Sequence, residues 1–288
     1  MRVHHLNCAT QCVVGGHLVS GAGSLFQRVP LVCHCLLIET NSGLVLVDTG
    51  LGLKDIEGPK ERLGLRFMLL AQPRLDPDET AVRQVERLGF SSADVKHVIV
   101  THLDLDHVGG LSDFPLAKVH LLEAEWTAAS CPTTLLDRYR YHHKQWEHKP
   151  NWVRYSVRGE CWQGFECVRQ LEGLPPEILL VPLAGHTHGH TGVAVYANGK
   201  WLLHAGDAYY FRGEMDCERP YCPFGLALVQ RLGSVDDTAR RLNQQRLRQL
   251  VCSKTQEVSI FCAHDPVEFE RKVTGSVSSV FRKDEQRF

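Results

Sequence analysis

The chain lacks any long hydrophobic run. Its longest useful apolar stretch, LVCHCLLI at Leu31–Ile38, is far too short to span a bilayer. The first residues, MRVHHLNCATQC, hold no apolar core, so no secretory leader is read there. An excess of one charge is also lacking. Net charge is −1, from 32 Lys and Arg against 33 Asp and Glu. No global field therefore draws in nucleic acid or an anionic membrane. Neither is expected as a partner, and a cytoplasmic location is. No Gly-, Ser- or Pro-rich linker divides the chain, so one domain over residues 1–288 is expected. There is no CxxC pair. Eleven cysteines are present, and the nearest pairs, Cys8 with Cys12 and Cys33 with Cys35, lack zinc-knuckle spacing. An odd number in a chain of this size reads as buried free thiols in a reducing compartment.

What is present is a mixture of strand and helix signals. The runs Leu36–Ile38 and Leu44–Val47 flank Asn41-Ser42-Gly43, which predicts a β-hairpin ending in Asp48-Thr49-Gly50. A second hairpin is predicted from Val193–Tyr196 and Trp201–His204 around Asn198-Gly199, ending in Gly206-Asp207. The repetition suggests two similar β-rich halves. Helices are predicted at Asp78–Leu88, which Gly89 would cap, at Glu123–Ala129, and at Ser234–Val251, with Ser-x-x-Asp as its capping start. Further strands fit Val98–Val100, Val119–Leu122, Ile178–Val181 and Val258–Cys262. Residues 131–155 have no clean period and are aromatic and basic. They fit either a lid over a pocket or an ordinary packed excursion.

The stretch THLDLDHVGG, Thr101–Gly110, places His102, Asp104, Asp106 and His107 within six residues. Alone it could be a solvated polar turn. Three other sites follow predicted strands in the same way: GHTHGH at Gly185–His190, then Asp207, then His264. Strand-end loops converge readily on one edge of a sheet. Convergence would assemble His102, Asp104, Asp106, His107, His186, Asp207 and His264, nitrogen and oxygen donors suited to zinc, iron or manganese. The set is too large for one tetrahedral ion and suits two divalent ions sharing a carboxylate.

These four ordered blocks, with Asp48 of VDTG as a fifth match, resemble the metallo-β-lactamase superfamily over roughly residues 36–265. The resemblance implies an α/β, four-layer αββα sandwich. It implies that His102, His186 and Asp207 hold one ion, and that Asp106, His107, Asp207 and His264 hold the other. Asp48 and His190 would orient these ligands. Asp104 departs from the pattern, HxHxDH, which has His there. A carboxylate adds a hard donor and favours iron or manganese over zinc. The flavodiiron branch also has a carboxylate at this place, but no flavin-binding segment is recognisable here. Two ions would activate water for hydrolysis of a small-molecule lactone or ester, with Asp106 orienting the nucleophile. Tyr210, three residues after Asp207, matches the spacing of an assisting tyrosine in N-acyl homoserine lactonases of the family. It would either support a developing oxyanion or simply pack. A di-iron oxidoreductase and a non-catalytic metal protein are the other functional classes compatible with this pattern.

Overall fold

A computed structural model describes residues 1–274. The first sheet comprises β1 (Arg2–Val14), β2 (Arg28–Thr40), β3 (Gly43–Val47), β4 (Pro73–Arg74), β5 (Val95–Ile99), β6 (Lys118–Leu122) and β7 (Asn151–Tyr155), in the order β4-β1-β2-β3-β5-β6-β7. The second comprises β8 (Glu160–Trp162), β9 (Phe165–Gln170), β10 (Ile178–Pro182), β11 (Thr191–Ala197), β12 (Lys200–His204) and β13 (Val258–Phe261), in the order β13-β12-β11-β10-β9-β8.

Side-chain alternation explains why two sheets form. In β2, Leu36 and Ile38 enter a core with Val45, Val47 and Ile99 of the first sheet and Leu180, Val193, Val195 and Phe261 of the second. Their neighbours Cys35 and Leu37 face the other way, into a core with Val82 and Val85 of the helix Ala81–Arg87. The second sheet does the same, packing Leu179, Val181 and Leu203 against Leu247 and Leu250 of the helix Asp237–Ser253. Both faces of each sheet are buried, so the strands read as continuous apolar runs. The result is the four-layer αββα sandwich. Among the described residues no helix is long and apolar enough to cross a membrane.

Both predicted hairpins form, with Leu36 opposite Val47 and Tyr196 opposite Trp201. Other expectations need correction. The helix expected from Ser234 begins later. Asp236 is its cap and accepts from the Ala239 N–H, because the hydrogen bonds from Val235 and Asp236 to His186 and Gly185 carbonyls hold that stretch in a loop. Asp78 and Glu79 lie in a 3-10 turn before the helix Ala81–Arg87. Residues 131–155 form a short helix, Leu135–Arg140, a 3-10 turn, and then the edge strand β7, paired in parallel with β6. The cysteines are not all buried thiols. Cys217 and Cys252 form a disulfide, and Cys131 and Cys161 are exposed. Distance along the chain hides the first pair, which are 35 residues apart.

The site lies where the C-terminal ends of β3, β5, β10, β12 and β13 meet. Backbone bonds across the two sheets tie this edge together: Thr191 N–H donates to Thr101 O at 2.9 Å, and His34 N–H to Ala263 O at 2.9 Å. The glycine pair after the first motif is a packing requirement. A Cβ on Gly109 would sit 2.1 Å from Asp55 Oδ2, and Gly110 N–H donates to Thr49 Oγ1 at 3.1 Å. Only bare backbone lets the loop 101–110 lie against the loop 48–52.

Candidate metal centre

Three of the imidazoles, His102, His107 and His264, are held with a defined nitrogen toward the site. Asp48, held at φ +55°, accepts the Thr101 N–H on Oδ1 and the Thr101 hydroxyl on Oδ2, both at 2.7 Å. With its proton on Asp48, the Thr101 oxygen accepts from His102 Nδ1 at 2.9 Å. Asp48 Oδ2 also accepts from His107 Nδ1 at 2.8 Å. His264 Nδ1 donates to the Val32 carbonyl at 2.8 Å. In all three rings Nδ1 carries the hydrogen and Nε2 is free to face the site. His190 works one step back. Its Nδ1 donates to Leu183 O at 3.0 Å, and its Nε2 accepts the Asp207 N–H at 2.9 Å, fixing the backbone that carries Asp207.

Two buried groups of potential ligands result, His102 with His186 and Asp207, and His107 with Asp207 and His264. Asp207 belongs to both. Its Oδ2 is 3.8 Å from His102 Nε2 and 3.5 Å from His186 Nε2, its Oδ1 is 3.3 Å from His107 Nε2, and His264 Nε2 lies 3.2 Å from Oδ1 and 3.3 Å from Oδ2. Separations of this size are those of atoms that share one ion at about 2.0–2.2 Å each. His102 Nε2, His107 Nε2 and Asp207 Oδ1 are buried with no hydrogen-bond partner. Burying such atoms unsatisfied costs about 1–3 kcal/mol each, more when charged. Divalent cations at the two groups would satisfy all three, so the residues fit the ions that the motifs imply.

Carboxylate and imidazole charges are strongly coupled across the site. Burial works against ionisation of Asp207, but His264 and His107 outweigh it and hold its carboxyl well below the usual range. Burial likewise opposes charge on His107 and His264, and Asp207 pushes both well above the ordinary imidazole value. His186 is lowered to about 4 by burial and by the Arg140 cation.

The remaining predicted residues take distinct places. Asp106 Oδ2 lies 3.6 Å from His264 Nε2, accepts from the Gln11 amide, and has Cys33 Sγ at 3.8 Å. Cys33, Asp106 and His264 form a third ligand-like group. Asp104 Oδ2 lies 3.1 Å from His186 Nε2 and 3.5 Å from His102 Nε2, but it also accepts from Arg140. The Tyr210 hydroxyl donates to Asp207 Oδ2 at 2.8 Å. Burial, then the Asp207 charge, raises this phenol well above its ordinary pKa. His188, the remaining histidine of the GHTHGH loop, points outward, 43% exposed and 3.4 Å from Asp137.

Arg140, Gln11 and Glu125 were not legible as site residues. Glu125 is fully buried, accepts the Leu103 and Gly189 N–H groups at 3.0 and 2.9 Å and the Tyr141 hydroxyl at 3.2 Å, and so pins both histidine loops. One signal was available: Gly189, whose added Cβ would lie 2.3 Å from Glu125 N, marks a close approach. Glu125→Ala strands two buried N–H donors and is expected to cost about 2–6 kcal/mol. Urea unfolding of the metal-free protein measures this as a lower midpoint at unchanged slope.

The model of the Metallo-beta-lactamase superfamily matches residues 28–249. A probable metallo-hydrolase of Mycobacterium bovis is 41% identical over 266 residues, 92% of this chain and 81% of the relative. An N-acyl homoserine lactonase of Bacillus cereus is 26% identical over 232 residues, 79% of this chain and 85% of that one. Among solved structures, an N-acyl homoserine lactone hydrolase with its product at the catalytic metal centre has a TM-score of 0.68 at 20% identity, covering 93% of this chain and 94% of that one. A probable metal-dependent hydrolase of Staphylococcus aureus has a TM-score of 0.67 at 17% identity, covering 92% and 89%. Four-layer fold, ordered motifs and the family match over most of the chain agree, and the protein belongs to the metallo-β-lactamase superfamily.

Proposed function

We propose that this hydrolase uses two divalent ions to open a lactone or cleave a small ester. The observation that carries the reading is Asp207, which belongs to two buried groups of potential ligands at once, His102 with His186 and His107 with His264. One ion would be held by His102, His186 and Asp207, with Asp104 adjoining. The other would be held by His107, Asp207 and His264, with Asp106 adjoining. When bound, such ions lower the pKa of a shared water and polarise the substrate's carbonyl.

The chain's own residues do the rest. Asp48 and His190 keep ligands oriented. Asp106 accepts a hydrogen bond at the second group and orients the attacking water through its free lone pairs. The raised pKa of Tyr210 keeps the phenol protonated at neutral pH, so its hydroxyl can turn from Asp207 Oδ2 toward a developing substrate oxyanion. A cavity of about 410 Å³ opens beside Asp104 and Asp106, walled by Leu63, Phe67, Leu70, Leu136 and Tyr139. These apolar walls suit a substrate with an apolar tail, and the helix Leu135–Arg140 would act as a partial lid over it.

The test is hydrolysis of lactones and activated aryl esters by zinc, iron, manganese and cobalt forms, with metal counted by elemental analysis. About two ions per chain and turnover that vanishes on chelation are expected. One ion or fewer after supplementation, or inert protein in every metal form, would overturn the reading.

A further inference from the structure

The residue that departs from the family pattern has an unusual neighbour. Arg140 ends the helix Leu135–Arg140 and reaches into the first ligand group. Its Nη1 donates to both oxygens of Asp104, at 3.1 and 2.9 Å, and lies 3.1 Å from His186 Nε2. Its Nη2 donates to the Gly233 carbonyl, and its Nε is buried without a partner. The Arg140 side chain is 6% exposed and that of Asp104 21%. The same Asp104 oxygen that Arg140 approaches most closely is the one facing His186 and His102.

We propose that Asp104 and Arg140 act as one charge-neutral unit in place of the neutral imidazole of the common pattern, with Arg140 a positioning residue that sets how tightly the first ion is held. The physical reason is charge balance. Replacing a neutral ligand by a carboxylate adds one negative charge to a largely buried site, and Arg140 offsets it. A carboxylate already accepting from a guanidinium gives less electron density to a cation. The guanidinium itself also repels an ion held by His186. The first group therefore binds its ion more weakly than the second, and the helix carrying Arg140 controls the difference. Segment 131–155 would then do more than cover the site: it would adjust its charge.

This rests on the two-ion reading, and the test separates the two. Zinc affinity of the full chain is measured by competition with a chromophoric chelator, alongside circular dichroism and urea unfolding of the metal-free protein. Wild type should show two unequal sites. Arg140→Gln should tighten the weaker site about tenfold, because it uncovers the Asp104 charge. Asp104→His should weaken that site by a similar factor, because it leaves the guanidinium uncompensated. The double variant should return to within about threefold of wild type. Arg140→Lys, which keeps the charge, should stay near wild type, and Arg140→Met serves as a second neutral variant if the first does not fold. A merely structural arginine predicts the opposite sign, since loosening the helix would weaken zinc binding. Weaker or unchanged affinity in folded Arg140→Gln and Arg140→Met overturns the proposal while leaving the two-ion centre intact. A wild type that binds neither zinc, iron, manganese nor cobalt overturns both.

Discussion

Asp207→Ala is expected to abolish retention of both ions, whereas Asp104→Ala keeps at least one. Asp207 is the residue shared by the two buried groups, with separations of 3.2–3.8 Å to four imidazole nitrogens. On the two-ion reading, removing it would delete a ligand from each ion and the bridge between them. It also removes the negative charge that keeps His107 and His264 above their ordinary pKa, leaving cationic or unsatisfied rings in a dry site. Asp104 adjoins only the first group, and its charge is already met by Arg140. Loss of one ligand or of its support usually costs about 10–100-fold in metal affinity, and loss of a bridge should exceed that for both ions. Elemental analysis after dialysis, at matched circular dichroism, reads the ranking. Equal losses, or a greater loss in Asp104→Ala, would refute the bridging role.

Tyr210→Phe is expected to lower kcat about 10²-fold with little change in KM. The hydroxyl is the only part of the side chain removed. At rest it donates to Asp207 Oδ2, so ground-state binding of substrate gains little from it. A donor used only as negative charge develops is lost from kcat rather than from KM. Removing one such donor commonly costs about 10²–10³-fold, and an ion at the same oxygen would reduce this. The ring packs against His264 and His186, at centroid distances of 5.0 and 6.1 Å, and Phe preserves that packing. Unchanged kcat with normal metal content would reduce Tyr210 to a packing residue. The hydrolase would survive that result, but the oxyanion role would not.

The two predictions show different depths of legibility. The ligand types, their order and their place after strands are local features. A motif of His and Asp at fixed spacing needs no tertiary information to be seen, and neither does an Asn-Gly turn between apolar runs. Hence His102, Asp106, His107, His186, Asp207 and His264 could be singled out, together with the hairpins that deliver Asp48 and Asp207. The repeated hairpins suggested two similar β-rich halves, and the layered fold came from the family resemblance of the motifs.

What local pattern could not decide was pairing across the chain. Cys217 and Cys252 are joined over 35 residues, and nothing in their spacing announces it. Glu125 looks like an ordinary first-turn helix acid until the fold brings the N–H groups of Leu103 and Gly189 to it. Arg140 lies in a segment without periodicity, and only the packing of its helix over the first loop brings it to Asp104. Burial is the physical reason. Excluding water makes a charge 3 Å away decisive, and which residues are excluded together is a property of the tertiary structure. The sequence by itself determined the order and spacing of the candidate donors, and through their resemblance the family and its layered fold. The tertiary structure decided which nitrogen His102, His107 and His264 present, that Asp207 faces both groups, and that Asp104 arrives already paired with a cation.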